Sequence, residues 1–282
     1  MQKVLYLAYE PQFNAYVISD EKVNQVIAQG DFPVILFPWD EVQELGLDYD
    51  ADAPTIGFLL GREKGHYSID YNYAKAICMA GGRIMGLTYT QVETQMAEID
   101  GLVLPGGAFV SPDEFYATRV NSPEEPSLRS KAYIEAIRVA EENAIPILGI
   151  CAGAQMVAGV HGMKLYRNLN ETRSSIEHKT SEVNAHQVII YPATPLRAWL
   201  GKKITVNSRH REGVIPDDKN SDLDIYAISS DCIPEAWGNM DDGILCVQWH
   251  PEDLAVAGNE KMLSIYKWLI YRSCDRRELM GK

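Results

Sequence analysis

Cys151 lies in a sequence pattern that can make a cysteine a nucleophile. Glycines stand two positions before it and two positions after it, at Gly149 and Gly153. An apolar run over residues 145–150 precedes the cysteine, and small or apolar residues follow it over 152–160. This pattern predicts a buried strand, a sharp turn with the cysteine at its tip, and a helix packed back on the sheet. The helix N-terminus would favour a thiolate. A buried core cysteine is the alternative, and the paired glycines argue against it.

A cysteine nucleophile needs a histidine that holds it as the thiolate and protonates the leaving group. Among six histidines, only His250 stands at the end of a clear core strand, residues 244–249. Pro251 predicts an extended conformation for His250, and in extended chain residues i and i+2 point the same way. We therefore expect Glu252 on the same side as His250, where it can orient the imidazole. The sequence predicts a triad of Cys151, His250 and Glu252.

Two other short patterns could complete such a site. Residues 102–104 predict a core strand, and Gly106 and Gly107 predict a turn at its carboxyl end, the edge of an α/β sheet where ligands bind. The glycines could simply make a tight turn, or they could bring backbone N–H groups towards a developing oxyanion. Gln155 follows Cys151 by one helical turn and could contact substrate from the same face.

The histidines of residues 166–186 are the other candidates for chemistry. His178 and His186 stand eight positions apart in a polar segment, and two histidines so placed are usually ordinary polar residues. The five cysteines are odd in number and not in paired, metal-like spacings. We therefore predict no metal site and no cofactor.

The elements that must position these residues alternate between strand and helix. Apolar and amphipathic stretches predict strand–helix–strand units along the first part of the chain, which is typical of parallel sheet. Residues 224–228 and 235–237 are instead typical of an antiparallel meander. The predicted fold class is α/β: a doubly wound, mostly parallel sheet with flanking helices and a small antiparallel meander. We expect a single domain over 1–282, with residues 1–50 as an N-terminal β-α-β elaboration.

Composition excludes several classes of function. The chain has 282 residues and a net charge of −13, so binding to a nucleic-acid backbone is not expected. The start of the chain does not resemble a signal peptide, and no apolar run approaches the ~20 residues that span a membrane. A reducing cytoplasm is the simplest compartment for the free cysteines. A homo-oligomer is left open.

Four motifs in this order resemble the class I glutamine amidotransferase superfamily, in its branch of γ-glutamyl hydrolases similar to γ-glutamyl-γ-aminobutyrate hydrolase. The motifs are Leu-Pro-Gly-Gly at 104–107, Gly-Ile-Cys-Ala-Gly-Ala-Gln at 149–155, Val-Asn-Ser-Arg-His at 206–210 and Val-Gln-Trp-His-Pro-Glu at 247–252. Together they cover roughly residues 99–270.

This resemblance implies roles for individual residues. It makes Cys151 the nucleophile, His250 the base and Glu252 its partner. It places Gly106, Gly107 and the backbone of Ala152 around the oxyanion, and Gln155, Ser208 and His210 in or near a γ-glutamyl pocket. Many relatives carry arginine where this chain has Ala152, a change that keeps the backbone N–H.

The leading hypothesis is hydrolysis of the γ-glutamyl amide bond of a small molecule through a thioester, releasing glutamate and an amine. A glutaminase that supplies ammonia to a separate synthetase would use the same triad, and a catalytically silent binding protein could share the fold. Arg211, with Arg209 as a second candidate, could pair with an acidic leaving group at the mouth of the site.

Overall fold

The computed structural model describes residues 1–38, 50, 52–172, 174–216 and 221–281. The strands within these ranges are β1 Gln2–Tyr6, β2 Ala8–Glu10, β3 Ala15–Ser19, β4 Phe32–Leu36, β5 Thr55–Leu59, β6 Gly61–Glu63, β7 His66–Asp70, β8 Arg83–Leu87, β9 Gly101–Leu104, β10 Ile147–Ile150, β11 Leu165–Tyr166, β12 His186–Ile190, β13 Lys203–Val206, β14 Gly213–Val214, β15 Asp224–Ser229, β16 Pro234–Asn239 and β17 Ile244–Val247.

The helices lie between these strands and at the C-terminal end. Within the described ranges they are α1 Asp20–Ala28, α2 Tyr71–Met79, α3 Val92–Met96, α4 Leu128–Glu142, α5 Ala152–Val160, α6 Leu196–Leu200, α7 Pro251–Val256 and α8 Glu260–Met280, with short 3-10 turns at Asp113–Phe115 and Leu169–Glu171. No helix in the described part of the chain combines the length and the apolar character needed to cross a membrane. The cytoplasmic location expected from the sequence stays a prediction, and the oligomeric state stays open.

The main sheet has eleven strands, and its centre is parallel. Strand order is β1-β4-β8-β5-β9-β10-β17-β16-β15-β12-β13. Strands β8, β5, β9, β10 and β17 run parallel to one another, whereas β17 to β13 form an antiparallel meander. The predicted fold class is confirmed. Because the carboxyl ends of β9, β10 and β17 lie at one edge, the sheet brings the three motifs that follow them together.

Apolar residues on the central strands alternate between two cores, one on each face of the sheet. Leu102 and Leu104 of β9 join the core formed with α3, α4 and α5, whereas Val103 joins the core formed with α2 and α8. All three side chains are fully buried, and each such burial contributes roughly 1.5–3 kcal/mol. Helices on both faces explain why these strands are almost continuously apolar in sequence.

The N-terminal residues do more than extend the sheet. Strands β1 and β4 pair in parallel at one edge of the main sheet, and residues 39–49 of the predicted elaboration lie outside the described residues. Strands β2 and β3 form a hairpin that joins β7 and β6 in a second sheet of four strands, in the order β2-β3-β7-β6. The sequence analysis did not predict this second sheet, because its strands have only three to five residues and its two hairpins lie about forty residues apart in the chain.

Candidate active site

The cysteine stands at a strained turn between β10 and α5. Its backbone has φ 52° and ψ −112°, a conformation that non-glycine residues rarely adopt. A Cβ added to Gly153 would lie 2.0 Å from the carbonyl oxygen of Leu104, and one added to Gly149 would lie 2.9 Å from Cα of Ala154. The turn thus needs both glycines because backbone passes on each side of it.

His250 reaches Glu252 by a geometry that the sequence analysis did not predict. His250 itself is extended, as predicted, with φ −102° and ψ 90°. The expectation that the chain stays extended to Glu252 is wrong, because His250 is the N-cap of α7 and Pro251 is the first residue of that helix. Proline suits the first helical position because its fixed φ is already helical and it lacks only an N–H that would be unpaired there. In this geometry Nδ1 of His250 lies 2.6 Å from Oε1 of Glu252, and both residues are buried.

Asn207 holds the backbone of His250 from the end of β13, the edge strand of the antiparallel part of the sheet. Its side-chain amide donates to the carbonyl of His250 at 2.9 Å and accepts from the N–H of His250 at 2.8 Å. The sequence analysis included Asn207 in a motif but gave it no role. Both bonds fix the main chain of His250, so the position of the imidazole depends on the turn after β13.

The electrostatics favour a charged imidazole. Burial lowers the pKa of His250, but the negative charges of Glu252 and Cys151, together with their hydrogen bonds, outweigh it and hold that pKa well above its ordinary value. A proton on His250 is thereby stabilised next to the cysteine sulfur. This is the arrangement in which a histidine can hold a thiolate and later supply a proton to a leaving group.

Gly106 lies against both the cysteine and the histidine. A Cβ built on Gly106 would fall 2.9 Å from Cε1 of His250 and 3.1 Å from Cβ of Cys151. The N–H of Gly106 donates to the hydroxyl of Tyr73 at 3.1 Å, and that hydroxyl lies 3.4 Å from Nδ1 of His250. Gly107 has φ 135°, which only glycine adopts readily.

Arg129 holds this turn from α4. Its guanidinium donates to the carbonyl of Gly106 at 2.8 Å and to the hydroxyl of Tyr133 at 2.9 Å. The guanidinium also packs over the rings of Phe109 and Tyr133. Neither Arg129 nor Tyr73 was predicted as a site residue from the sequence. Their roles appear only when the turn is seen between the two helices.

Each of the three side chains predicted to contact substrate is hydrogen-bonded to another part of the protein. The side-chain amide of Gln155 donates to the carbonyl of Glu212 and to Oε1 of Gln248, each at 3.0 Å. Ser208 is fully buried and donates to the carbonyl of His178 at 2.6 Å. His210 is 4% exposed and binds the carbonyl of Glu212 through Nδ1 at 2.8 Å. Their contact with substrate stays a prediction.

Two adjoining clefts open beside His250. One, of about 430 Å³, is bordered by His250, Glu252, Arg209 and Asp253; the other, of about 400 Å³, is bordered by Arg129. They share Asp70, Tyr73, Gly106 and Gly107. The second sheet and its turns supply the outer walls through Phe13, Asn14, Gly61, Arg62, Glu63 and Ser68.

A comparison with known families shows the family to which the chain belongs. The sequence profile of peptidase C26 matches residues 61–252, which include all three predicted triad residues. The chain belongs to the peptidase C26 family. This is a hydrolase family of the class I glutamine amidotransferase type, and the resemblance inferred from the four motifs is confirmed.

Curated proteins similar to this peptidase C26 protein carry more than one kind of name. A glutamine amidotransferase-like protein by name, YvdE from Lactococcus lactis, is 32% identical over 57% of this chain and 69% of its own length. γ-Glutamyl-γ-aminobutyrate hydrolase from Escherichia coli is 29% identical over 71% of this chain and 85% of its own length.

A solved structure shares the fold. The crystal structure of a GMP synthase component from Thermoplasma acidophilum superposes with a TM-score of 0.60 at 20% identity, covering 83% of this chain and all of that one. At this identity the likeness concerns the fold alone. It agrees with the mostly parallel sheet described above.

Proposed function

We propose that this protein hydrolyses the γ-glutamyl amide bond of a small molecule through a thioester at Cys151, releasing glutamate and an amine. The observation that carries the proposal is the meeting of a strained cysteine turn, Gly106 and the hydrogen-bonded pair of His250 and Glu252. Membership of peptidase C26 and the named activity of the Escherichia coli relative support the choice of bond.

In the first step, the thiolate of Cys151 attacks the γ-carbonyl carbon and forms a C–S bond. The oxyanion that develops is stabilised by backbone N–H groups at Gly107 and Ala152. Ala152 is the first residue of α5, so its N–H has no partner within the helix. The N–H of Gly106 is held by Tyr73, which fixes the turn that presents Gly107.

Collapse of the tetrahedral intermediate breaks the C–N bond, and His250 gives its proton to the departing amine. A water then attacks the thioester, His250 accepts its proton, and glutamate leaves as the C–S bond breaks. Glu252 keeps the imidazole oriented and stabilises its charged form throughout.

The γ-glutamyl group is proposed to lie next to α5. Gln155 is the proposed contact on the face of the helix that carries the nucleophile. Ser208 and His210 are proposed to shape this pocket by anchoring the segment that follows β13. His210 and Gln155 both bind the carbonyl of Glu212, and Ser208 donates to the carbonyl of His178. The amine leaves towards the cleft bordered by Arg209.

The test is a turnover assay of the purified protein with L-glutamine and a panel of γ-glutamyl amines, with glutamate, ammonia and free amine all measured. We expect equal amounts of glutamate and amine from γ-glutamyl amines, at a higher kcat/KM than for glutamine. Higher kcat/KM on glutamine would instead favour a glutaminase. No release of glutamate from any substrate, by protein that carries an alkylatable Cys151, would contradict the proposal.

A further inference from the structure

Four chain segments that are distant in sequence bring three histidines and a glutamate together in the interior. His178 lies between β11 and β12, His186 begins β12, His210 follows β13 and Glu235 lies on β16. Their side chains are at most 4% exposed. None of the four belongs to the proposed triad. A buried carboxylate surrounded by imidazoles needs a physical explanation, because burying a charge is costly unless it is compensated.

The distances from Glu235 to the three histidines are close to those between the ligands of a four-coordinate metal ion. Oε1 of Glu235 lies 3.3 Å from Nδ1 of His178, 3.0 Å from Nε2 of His186 and 3.8 Å from Nε2 of His210. Zinc ligands at about 2.0–2.1 Å in a tetrahedron lie about 3.3 Å from one another. Small shifts of side chains would therefore place one ion between His178, His186 and Glu235, whereas His210 has to move further to become the fourth ligand. His178, His186 and Glu235 offer ligand atoms that all lie within 4.8 Å of one another.

The outer nitrogens of two of these histidines have the partners that metal-bound histidines usually have. Nε2 of His178 lies 3.2 Å from a carboxylate oxygen of Asp231, which also accepts from the hydroxyl of Ser174 at 2.6 Å. Nδ1 of His210 lies 2.8 Å from the carbonyl of Glu212. Such partners orient the ring and fix the tautomer that leaves the inner nitrogen free to bind a metal.

The hydrogen-bond pattern of His210 favours a cation over a purely protonic network. A carbonyl can only accept, so Nδ1 of His210 must carry the proton of that bond. In the neutral ring, Nε2 then presents a lone pair towards the carboxylate of Glu235. Nε2 of His210 and Oε2 of Glu235 are both buried without a hydrogen-bond partner. A bound cation would give Nε2 of His210 a ligand bond.

We propose that His178, His186, His210 and Glu235 bind one divalent transition-metal ion, with zinc the best match to three imidazoles and one carboxylate. Four protein ligands in a closed interior make the site structural, since a catalytic zinc keeps a position open for water or substrate. The ion would tie the end of β13 to β12 and β16. That segment also carries Asn207, so the site would stabilise the turn that holds His250.

The experiment measures metal content and stability in untagged protein purified without chelator. We expect about one zinc ion per chain by inductively coupled plasma mass spectrometry after gel filtration. Removal of the ion should lower Tm by several degrees, and added zinc should restore it. Cobalt added to the metal-free protein should give the visible absorption of a tetrahedral complex.

Two substitutions and a matched control locate the ion. Glu235→Gln and His186→Gln should lose the metal, whereas His161→Gln should keep it. His161 is a suitable control because it also lies between two carboxylates, those of Glu141 and Asp222, and outside the cluster. Metal-free protein that neither binds cobalt nor gains stability with zinc would overturn the proposal, even if both substituted proteins failed to fold. Metal lost only from His161→Gln would overturn it as well. These readouts do not depend on turnover, so they separate this site from the proposed function.

Discussion

At the scale of single residues, Cys151 has a strained backbone and His250 has an unusual pKa, and a structural role would require neither. A non-glycine residue at positive φ and unusual ψ is strained by about 1–3 kcal/mol, and Cys151 occupies such a conformation where the chain turns from strand to helix. His250 is buried, yet its pKa is held well above the ordinary value against that burial. The strain at Cys151 raises the free energy of folding, and both features are explained if they serve catalysis.

The first prediction concerns Cys151→Ala. Alanine removes the nucleophile and adds little volume change, so kcat should fall by about a thousandfold or more while Tm stays near that of the parent. Cys232→Ala is the matched control, because Cys232 is exposed and also has positive φ. It should retain full activity. Activity of Cys151→Ala within tenfold of the parent would remove Cys151 from the mechanism.

The second prediction concerns the pH dependence that Glu252 gives to His250. The carboxylate raises the pKa of His250, so Glu252→Gln should lower that pKa and move the alkaline limb of kcat/KM to lower pH. The stability contributed by protonated His250 is complete below its unfolded pKa of about 6.5 and is lost as pH rises through its folded pKa. The substitution should bring this loss to lower pH.

Asp253→Asn provides the control for that experiment. Asp253 is the adjacent carboxylate, and its contacts are with Asn72, Arg209 and Asn207 rather than with the imidazole. The alkaline limb of kcat/KM for Asp253→Asn should stay close to that of the parent. An alkaline limb that moved equally in both variants, or in neither, would argue against Glu252 as the residue that orients His250.

At the scale of elements, the turn at Cys151 depends on how closely β9, β10 and α5 approach one another. The carbonyl of Leu104 at the end of β9 leaves no room for a side chain at position 153. The same strand end then continues into Gly106, which faces the nucleophile. The close packing of β9, β10 and α5 therefore sets the geometry of the site. A substitution that disturbs this packing should also disturb the site.

The third prediction is that Gly153→Ala destabilises the protein strongly. Its Cβ would meet backbone oxygen at 2.0 Å, and backbone cannot rotate away as a side chain can. We expect a loss of about 2–3 kcal/mol or more in the free energy of unfolding, seen as a lower denaturation midpoint. In Gly61→Ala, the new Cβ would be 3.4 Å from the Ser68 hydroxyl, an ordinary contact. Equal stability of the two variants would contradict the packing described.

The fourth prediction concerns the contact between α2 and the glycine turn. Tyr73→Phe removes the acceptor for the N–H of Gly106, so the turn should loosen and kcat should fall by about tenfold to a hundredfold with little change in Tm. Tyr71→Phe serves as the control, because Tyr71 lies on the same helix and packs among Tyr9 and Tyr16. A wild-type kcat for Tyr73→Phe would show that this hydrogen bond does not position the turn.

At the scale of the whole molecule, two charge effects act on the leaving group in opposite directions. The net charge of −13 attracts cationic amines over long range, whereas Arg209 borders the cleft beside His250 with a half-exposed side chain. A contact at a few ångströms outweighs diffuse charge that salt screens within about 8–10 Å. Arg211, the first choice from the sequence, does not border either cleft.

The fifth prediction follows from that balance. The protein should turn over γ-glutamyl-aminobutyrate with a higher kcat/KM than a γ-glutamyl polyamine, and Arg209→Ala should lower the value for the acidic substrate by about tenfold. Arg211→Ala should leave both values near those of the parent. A polyamine preference that Arg209→Ala does not alter would overturn the idea of an acidic leaving group.

The sequence by itself determined the α/β fold and the strand–turn–helix around Cys151, and it proposed His250 and Glu252 as the partners of that cysteine. These features are local: apolar runs mark buried strands, glycines mark a crowded turn, and helix α5 was predicted over the residues that the structure gives it. Motif order then sufficed to recognise the family. Local patterns carried this information because each was made by residues adjacent in the chain.

Tertiary structure alone decided which distant residues support the site. Tyr73, Arg129 and Asn207 act on it from α2, α4 and the end of β13, and nothing in their own neighbourhoods indicates where those elements pack. The same reason explains the interior cluster, where His178 and His186 looked like ordinary loop histidines until Glu235 and His210 were seen beside them. A side chain's partner across the fold is set by long-range packing, which no local spacing encodes.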